Sequence, residues 1–288
     1  MSKRTYIVGA IVILLIISQL ILVRLVYAHK LSPNFSYHIS KIYSLKAGTV
    51  SQNDVDLKID LDHFFEHYLS LQHYVAQLEQ TEIDLDTVAW ERSVRDAWVD
   101  YFSKNYELVV TEEELAEYMQ DVILQEAGDD FSKFSEETYG LSVKKFKSLI
   151  LKPYLTEAKI YQYLLENYND QEGIRLAQSA YEALENGEDF IEVAKQFSTD
   201  ASYAENSIWL AESDLVDFYT QIKTLNPGEF GKIIIIPGAY VIWQLDSIVA
   251  DDVTGENAWQ VRSIIIQAKS FEEFFAEYLD AADINRKY

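Results

Sequence analysis

The sequence predicts an α+β protein: an N-terminal transmembrane helix, a mostly α-helical domain, then a small α+β domain whose antiparallel sheet is completed by a C-terminal strand. Three observations predict it. An apolar run, Tyr6 to Val23, opens the chain. From about Asp60 to Asn169 apolar residues recur at helical spacing. Beyond Gly187, short β-branched runs alternate with Pro-Gly turns. The expected domains are residues 1–29, 30–170 and 171–288.

Composition narrows the function. A chain of 288 residues is long enough for two cores. It has no cysteine, so a disulfide framework, a thiolate nucleophile and a Cys-ligated zinc site are excluded. The net charge is −23, and the first thirty residues carry Lys3, Arg4, Arg24 and Lys30 with no acid, so the remainder is more acidic still. Such a surface repels phosphate backbones, and nucleic acid is not an expected partner.

In the first eighteen-residue stretch, Tyr6 to Val23, only Ser18 and Gln19 are polar, close to the ~20 residues that cross a bilayer. Lys3 and Arg4 ahead of it favour an amino terminus inside. The expectation is an uncleaved single-pass anchor in the cell membrane, with the bulk of the chain extracytoplasmic. A cleaved signal peptide ending near Ala28 is the alternative, although its apolar core would be longer than usual.

Residues 31–57 are poorly periodic, with a short strand around Ser40–Leu45 and a turn at Ala47-Gly48. Leu61, Phe64, Phe65, Tyr68, Leu71, Val75 and Leu78 then keep one apolar helical face. A second helix, about Thr87 to Lys104, carries Val94, Trp98 and Phe102. Thr111-Glu112-Glu113-Glu114 reads as a capping box. Phe131–Tyr139 is a short helix stopped by Gly140. Ser142 caps a long one that Pro153 should kink. The order and periodicity resemble the helical chaperone domain of SurA- and PrsA-like foldases, a resemblance that implies binding of unfolded or nascent secreted and membrane-protein clients. The aromatic content, 20 Tyr, 14 Phe and 5 Trp, agrees with exposed apolar binding patches, and Tyr161 and Tyr163 exceed what one helical face buries.

Asn186-Gly187-Glu188-Asp189-Phe190 stops one helix and starts another, followed by Ser198-Thr199-Asp200, Leu225-Asn226-Pro227-Gly228-Glu229, the strand Ile233–Ile236, the turn Pro237-Gly238 and the strand Tyr240–Leu245. This order resembles the parvulin-type peptidyl-prolyl isomerases. The resemblance implies a proline-binding groove, with Asp200 in the family's Cys/Asp position, Tyr240 in place of one catalytic histidine, and Trp209, Leu210, Leu215 and Tyr219 lining the groove. The family's first strand is missing before Gly173. Val261–Ile266 resembles it, with Ser263 in the place of the other histidine, so the module reads as circularly permuted, residues 260–267 supplying the first strand last. All five histidines, at 29, 38, 63, 67 and 73, precede this region. Isomerisation needs no proton transfer, only a lowered ~20 kcal/mol amide barrier, yet the loss of both imidazoles predicts weak or absent catalysis. An active parvulin-type isomerase is the alternative. No cofactor is expected.

A rival pattern is His63-Phe64-Phe65-Glu66-His67, which matches the His-x-x-Glu-His of inverted zinc peptidases. On a helix His63 and His67 stand one turn apart and could share a metal, with Glu66 as base and His73 or a later Glu as third ligand. The bland alternative is two histidines flanking an apolar face, and no metal site is the expectation.

Overall fold

The computed structural model describes residues 16–78, 82–123, 130–167, 171–212, 217–250 and 257–288. It is α+β, with two antiparallel sheets, and divides into two compact units. Unit 1 holds the described residues up to Glu157 together with Glu277–Tyr288, and unit 2 is Ala158–Ala276.

The expected membrane anchor is overturned. Among the described residues no helix is long and apolar enough to cross a membrane. Residues 1–15 of the expected span lie outside the described residues, and residues 16–27 form a helix (α1). Its end belongs to the interior of unit 1. Val26 is fully buried, and the Tyr27 hydroxyl donates to the Lys46 carbonyl at 2.8 Å. The single-pass location, and the membrane as a partner through this helix, fall with the anchor.

In unit 1, α2 (Pro33–Tyr43) occupies the place of the strand expected at Ser40–Leu45. Pro33 sits in its first turn, where a fixed φ favours helix, and Ser36, Ile39 and Ser40 form its buried face. Strands β1 (Lys46–Gln52) and β2 (Val55–Asp60) form a hairpin whose two-residue loop, Asn53-Asp54, has φ of 46° and 67°. Positive φ at both positions marks the type I′ turn that suits strand twist. Gly48 lies within β1 rather than in a turn. A Cβ there would stand 2.5 Å from the Asn285 carbonyl and 2.7 Å from the Trp90 ring, so only glycine lets β7 (Asp283–Arg286) approach. The three strands run in the order β2-β1-β7.

Helices α3 (Leu61–Val75) and α4 (Leu85–Asn105) follow the apolar periodicity. Phe64 and Phe65 are essentially fully buried, each contributing about 1.5–3 kcal/mol of hydrophobic stabilisation. Asp84 caps α4 by accepting from the amides of Asp86 and Thr87. The Thr111 capping box opens α5 (Glu112–Tyr118), and Gly140, at φ 67°, ends α6 (Phe131–Tyr139). Ser142 caps α7 (Val143–Phe146), which continues through a π-helical turn, Lys147–Leu151, into α8 (Lys152–Asn167). The wide turn falls just ahead of Pro153, whose ring crowds the carbonyl four residues back and offers no N–H.

In unit 2, α9 (Gln171–Glu185) ends at Gly187, and Asp189 caps α10 (Phe190–Phe197) through the amides of Ile191 and Glu192. The sheet runs β3-β6-β5-β4, with β3 (Ile208–Ala211) and β4 (Ile234–Ile236) at its edges and β5 (Ala239–Ala250) and β6 (Asn257–Gln267) in the middle. The ladder of β5 and β6 extends to the pairs Ile248–Trp259 and Ala250–Asn257, and residues 251–256 lie outside the described residues. Tyr240, Ile242, Ile264 and Ile266 face a core shared with α9 and α10. Val241, Trp243, Leu245 and Val261 face a second core with Ile222 of the 3₁₀ helix Asp217–Thr224. Both faces are therefore covered. Tyr161 packs on the first core and its hydroxyl donates to the Lys269 carbonyl at 2.8 Å, which removes it from the expected exposed aromatic residues.

Candidate functional site

The sheet of unit 2 carries Tyr240 and Ser263 and sets them on opposite faces. Ser263 pairs with Trp243 and Tyr240 with Ile266. Directly opposed residues share a face and side chains alternate along a strand, so Tyr240 and Ser263 point to opposite sides. Both are buried. The two residues that stand in the places of the family's histidines therefore do not meet across the sheet. Asp200 is exposed instead, its carboxylate accepting from the Ser202 amide at 2.9 Å, and bonds from Ser202 hold its carboxyl below the usual range.

The Ser198-Thr199 segment is docked on β6. The Thr199 amide donates to the Ile265 carbonyl at 2.7 Å, Ser198 Oγ accepts from the Ile265 amide at 3.0 Å, and Thr199 Oγ1 accepts from the Gln267 amide. On the other side, Pro227-Gly228 forms a tight turn with Gly228 at φ 90°, the conformation a type II turn demands of glycine. Glu229 closes it by accepting from the Asn226 amide at 2.8 Å. The Gly228 amide donates to the Leu245 carbonyl, and the Leu245 amide to Glu229, so the turn is tied to β5.

Trp209 and Leu210 lie on the edge strand β3. Leu210 pairs with Trp259 and packs on the second core, while Trp209 pairs with Gln260 on the opposite face and is 51% exposed. Ile208 beside it is 41% exposed. Leu215 lies outside the described residues, and Tyr219 belongs to the 3₁₀ helix.

A second constellation, in unit 1, is tighter. Helical spacing stacks His63 and His67 on α3, and α4 brings Asp96 to both. Asp96 Oδ2 stands 2.9 Å from His63 Nε2 and 2.8 Å from His67 Nε2. Glu66 turns towards His63 Nδ1 at 3.7 Å, accepts from the Tyr37 hydroxyl at 3.1 Å and pairs with Lys145. Burial disfavours a charged His63, but its bonds to Asp96 and Glu66 outweigh this and raise it to about 9. Burial dominates at His67 and lowers it. Burial opposes ionisation of Glu66 and Asp96, yet their bonds to the histidines, and to Lys145 for Glu66, win, lowering Asp96 and bringing Glu66 to about 2. His73, expected as a third ligand, turns away and meets the Glu137 carbonyl at 2.8 Å.

Comparison with known proteins adds one relationship. Part of the chain is similar to SurA chaperones. Over 115 residues it is 28% identical to the chaperone SurA of Pseudomonas savastanoi pv. phaseolicola, covering 38% of this chain and 27% of the relative. Over 62 residues it is 42% identical to SurA of Pseudomonas syringae pv. syringae, covering 20% of this chain and 14% of that protein. SurA of Pseudomonas syringae pv. tomato is 30% identical over 108 residues, covering 36% and 25%. The chain thus spans about a quarter of the SurA relative matched over 115 residues. No protein-family model and no solved structure match it.

Asp96 is the group that sequence reasoning missed. It sits 29 residues beyond His67 on another helix, and its sequence signal was slight: a lone acid, Val94-Arg95-Asp96-Ala97-Trp98, on the helix expected to pack on α3. The Arg262–Asp246 pair across β5 and β6, at 2.7 Å, was likewise unforeseen.

Proposed function

We propose that this chain is a folding helper of the SurA kind, which binds unfolded or proline-containing client segments and isomerises prolyl bonds weakly or not at all. The partial likeness to SurA chaperones carries this reading. The helical unit 1 and the sheet of unit 2 are its chaperone and degenerate parvulin-like parts. Two arrangements support the second assignment: β6 lies between β3 and β5, where a permuted first strand belongs, and the Ser198–Asp200 loop is hydrogen-bonded to it.

In this reading the client docks at β3. Among the described strands β3 is an edge of the sheet, the kind of place where an extended segment can be added, and neighbouring apolar side chains supply affinity. Trp209 and Ile208 are the exposed apolar residues there. Catalysis is not expected, because no histidine lies in unit 2 and Tyr240 and Ser263 are buried apart. The alternative, an active parvulin-type isomerase, has Asp200 as the one exposed member of its expected catalytic set. The zinc-peptidase reading loses its general base, since Lys145 and Tyr37 hold Glu66.

The test is light scattering from a chemically unfolded client at equimolar protein, with the full chain and its Trp209→Ala variant. Suppression by the parent and a weaker effect of the variant are expected. Unchanged scattering with the parent overturns the proposal, and turnover of a proline peptide at rates typical of active parvulins overturns the inactive-module part.

A further inference from the structure

We propose that His63, His67 and Asp96 form a binding site for one divalent transition-metal cation of the zinc class. Three potential ligand atoms, one from each side chain, lie within 4.8 Å of one another. Two come from imidazoles one helical turn apart on α3, the spacing by which a helix presents two histidines to one ion. The third comes from α4, so the site is built on two packed helices.

The dimensions suit an ion of this size. Zinc takes imidazole nitrogen at about 2.0–2.1 Å and carboxylate oxygen at about 2.0–2.2 Å. Tetrahedral ligands at those lengths stand roughly 3.3 Å apart by geometry. Asp96 Oδ2 is 2.8–2.9 Å from both nitrogens, so an ion enters if the side chains part by about half an ångström, in place of the two protons that now bridge them.

The donor set argues for the class. Calcium and magnesium prefer sites made of oxygen, whereas two imidazoles with one carboxylate suit zinc and its neighbours. Three protein ligands leave a fourth position for water, and His63 and Asp96 border an open cavity of about 980 Å³. An outer shell is already present. A ligating histidine generally offers its second nitrogen to a carboxylate, and Glu66 faces His63 Nδ1 while Tyr37 and Lys145 fix it. The same engagement occupies Glu66, which serves here as an outer-shell partner of His63 rather than as a base.

The test uses the full chain, stripped with a chelator and titrated first with Co²⁺ and then with Zn²⁺. One equivalent of Co²⁺ should give the visible absorption of a four- or five-coordinate ion, and Zn²⁺ should abolish it. His63→Ala and Asp96→Asn should lose the spectrum. Glu66→Gln should keep it with affinity lowered roughly 10–100-fold. His73→Ala, whose side chain is exposed and bonded elsewhere, should behave as the parent. Circular dichroism confirms that each variant is folded, and His63→Ala is decisive because that side chain is one-third exposed. If the parent gives no such spectrum at one equivalent, or His63→Ala gives the parent's spectrum, the site does not exist.

Discussion

Ser263 stands directly across the ladder from Trp243, on the face of the sheet away from Tyr240. The pairing fixes which substitutions act together. Tyr240 belongs to the core under α9 and α10, and truncation there should cost about 3–5 kcal/mol, as for other large aromatic side chains. Tyr240→Ala should lower the melting of unit 2 sharply, and Ser263→Ala should leave the first core intact. Equal losses for the two would show that they share one environment.

β6 is an inner strand, so its apolar residues should matter more than those at the edge. Ile264 is fully buried, and Ile264→Ala is expected to cost about 2–5 kcal/mol. Ile208→Ala on β3, 41% exposed, should change stability by about 0.5 kcal/mol or less. Denaturant midpoints followed by amide exchange in unit 2 check the contrast. Deleting residues 257–288 is a blunt probe of β6, for it also removes β7 and should damage unit 1 as well.

Gly48 is held by its neighbours rather than by its φ. In Gly48→Ala the new methyl meets a backbone carbonyl and an indole, which should cost about 1–3 kcal/mol and loosen β7 in amide exchange. Gly187→Ala has open space around it but φ of 88°, so its cost of about 1–2 kcal/mol is backbone strain and β7 should stay protected. Protection of β7 in both variants would show that the close approach is unimportant.

Stability at high pH should depend on Tyr288. Burial, and then the Asp86 charge, raise its hydroxyl from 10 to about 12. The fold therefore holds this proton more tightly than the unfolded chain does. Its contribution is complete below pH 10 and is lost as pH rises through about 12. Tyr288→Phe has no such proton, so the parent should lose stability more steeply than the variant over that window. Parallel declines in urea midpoints would refute the assignment.

Local chemistry made much of unit 2 legible in the sequence. Gly187, Asp189, Pro227-Gly228 and Pro237-Gly238 each do in space what their residue types require, and the β-branched run Val261–Ile266 lies beside Tyr240–Leu245. Unit 1 was less legible where partners are remote. Gly48 reads as a turn until β7, some 235 residues on, is placed against it. The same distance effect hid Asp96 from the two histidines. At α1, hydropathy alone suggested a membrane span. The buried Val26 and the Tyr27–Lys46 bond tie the end of that helix into unit 1, and packing of this kind is invisible to a count of apolar residues.

The bond from the Tyr161 hydroxyl to the Lys269 carbonyl, with the Phe271 ring 6.4 Å from the Tyr161 ring, brings the entry and exit of unit 2 together. Unit 2 is in effect an insertion within unit 1, and β7 cannot be synthesised until all of it has been made. In an unfolded chain, closing β7 on β1 would carry the entropy of a very long loop, with about 0.6 kcal/mol for each doubling of its length. Once unit 2 has folded and clasped its own ends it drops out of that loop, which is roughly halved, a saving of about one such step. The strand that completes the sheet of unit 1 is thus made only after the whole of the inserted part, whose two ends Tyr161 already joins.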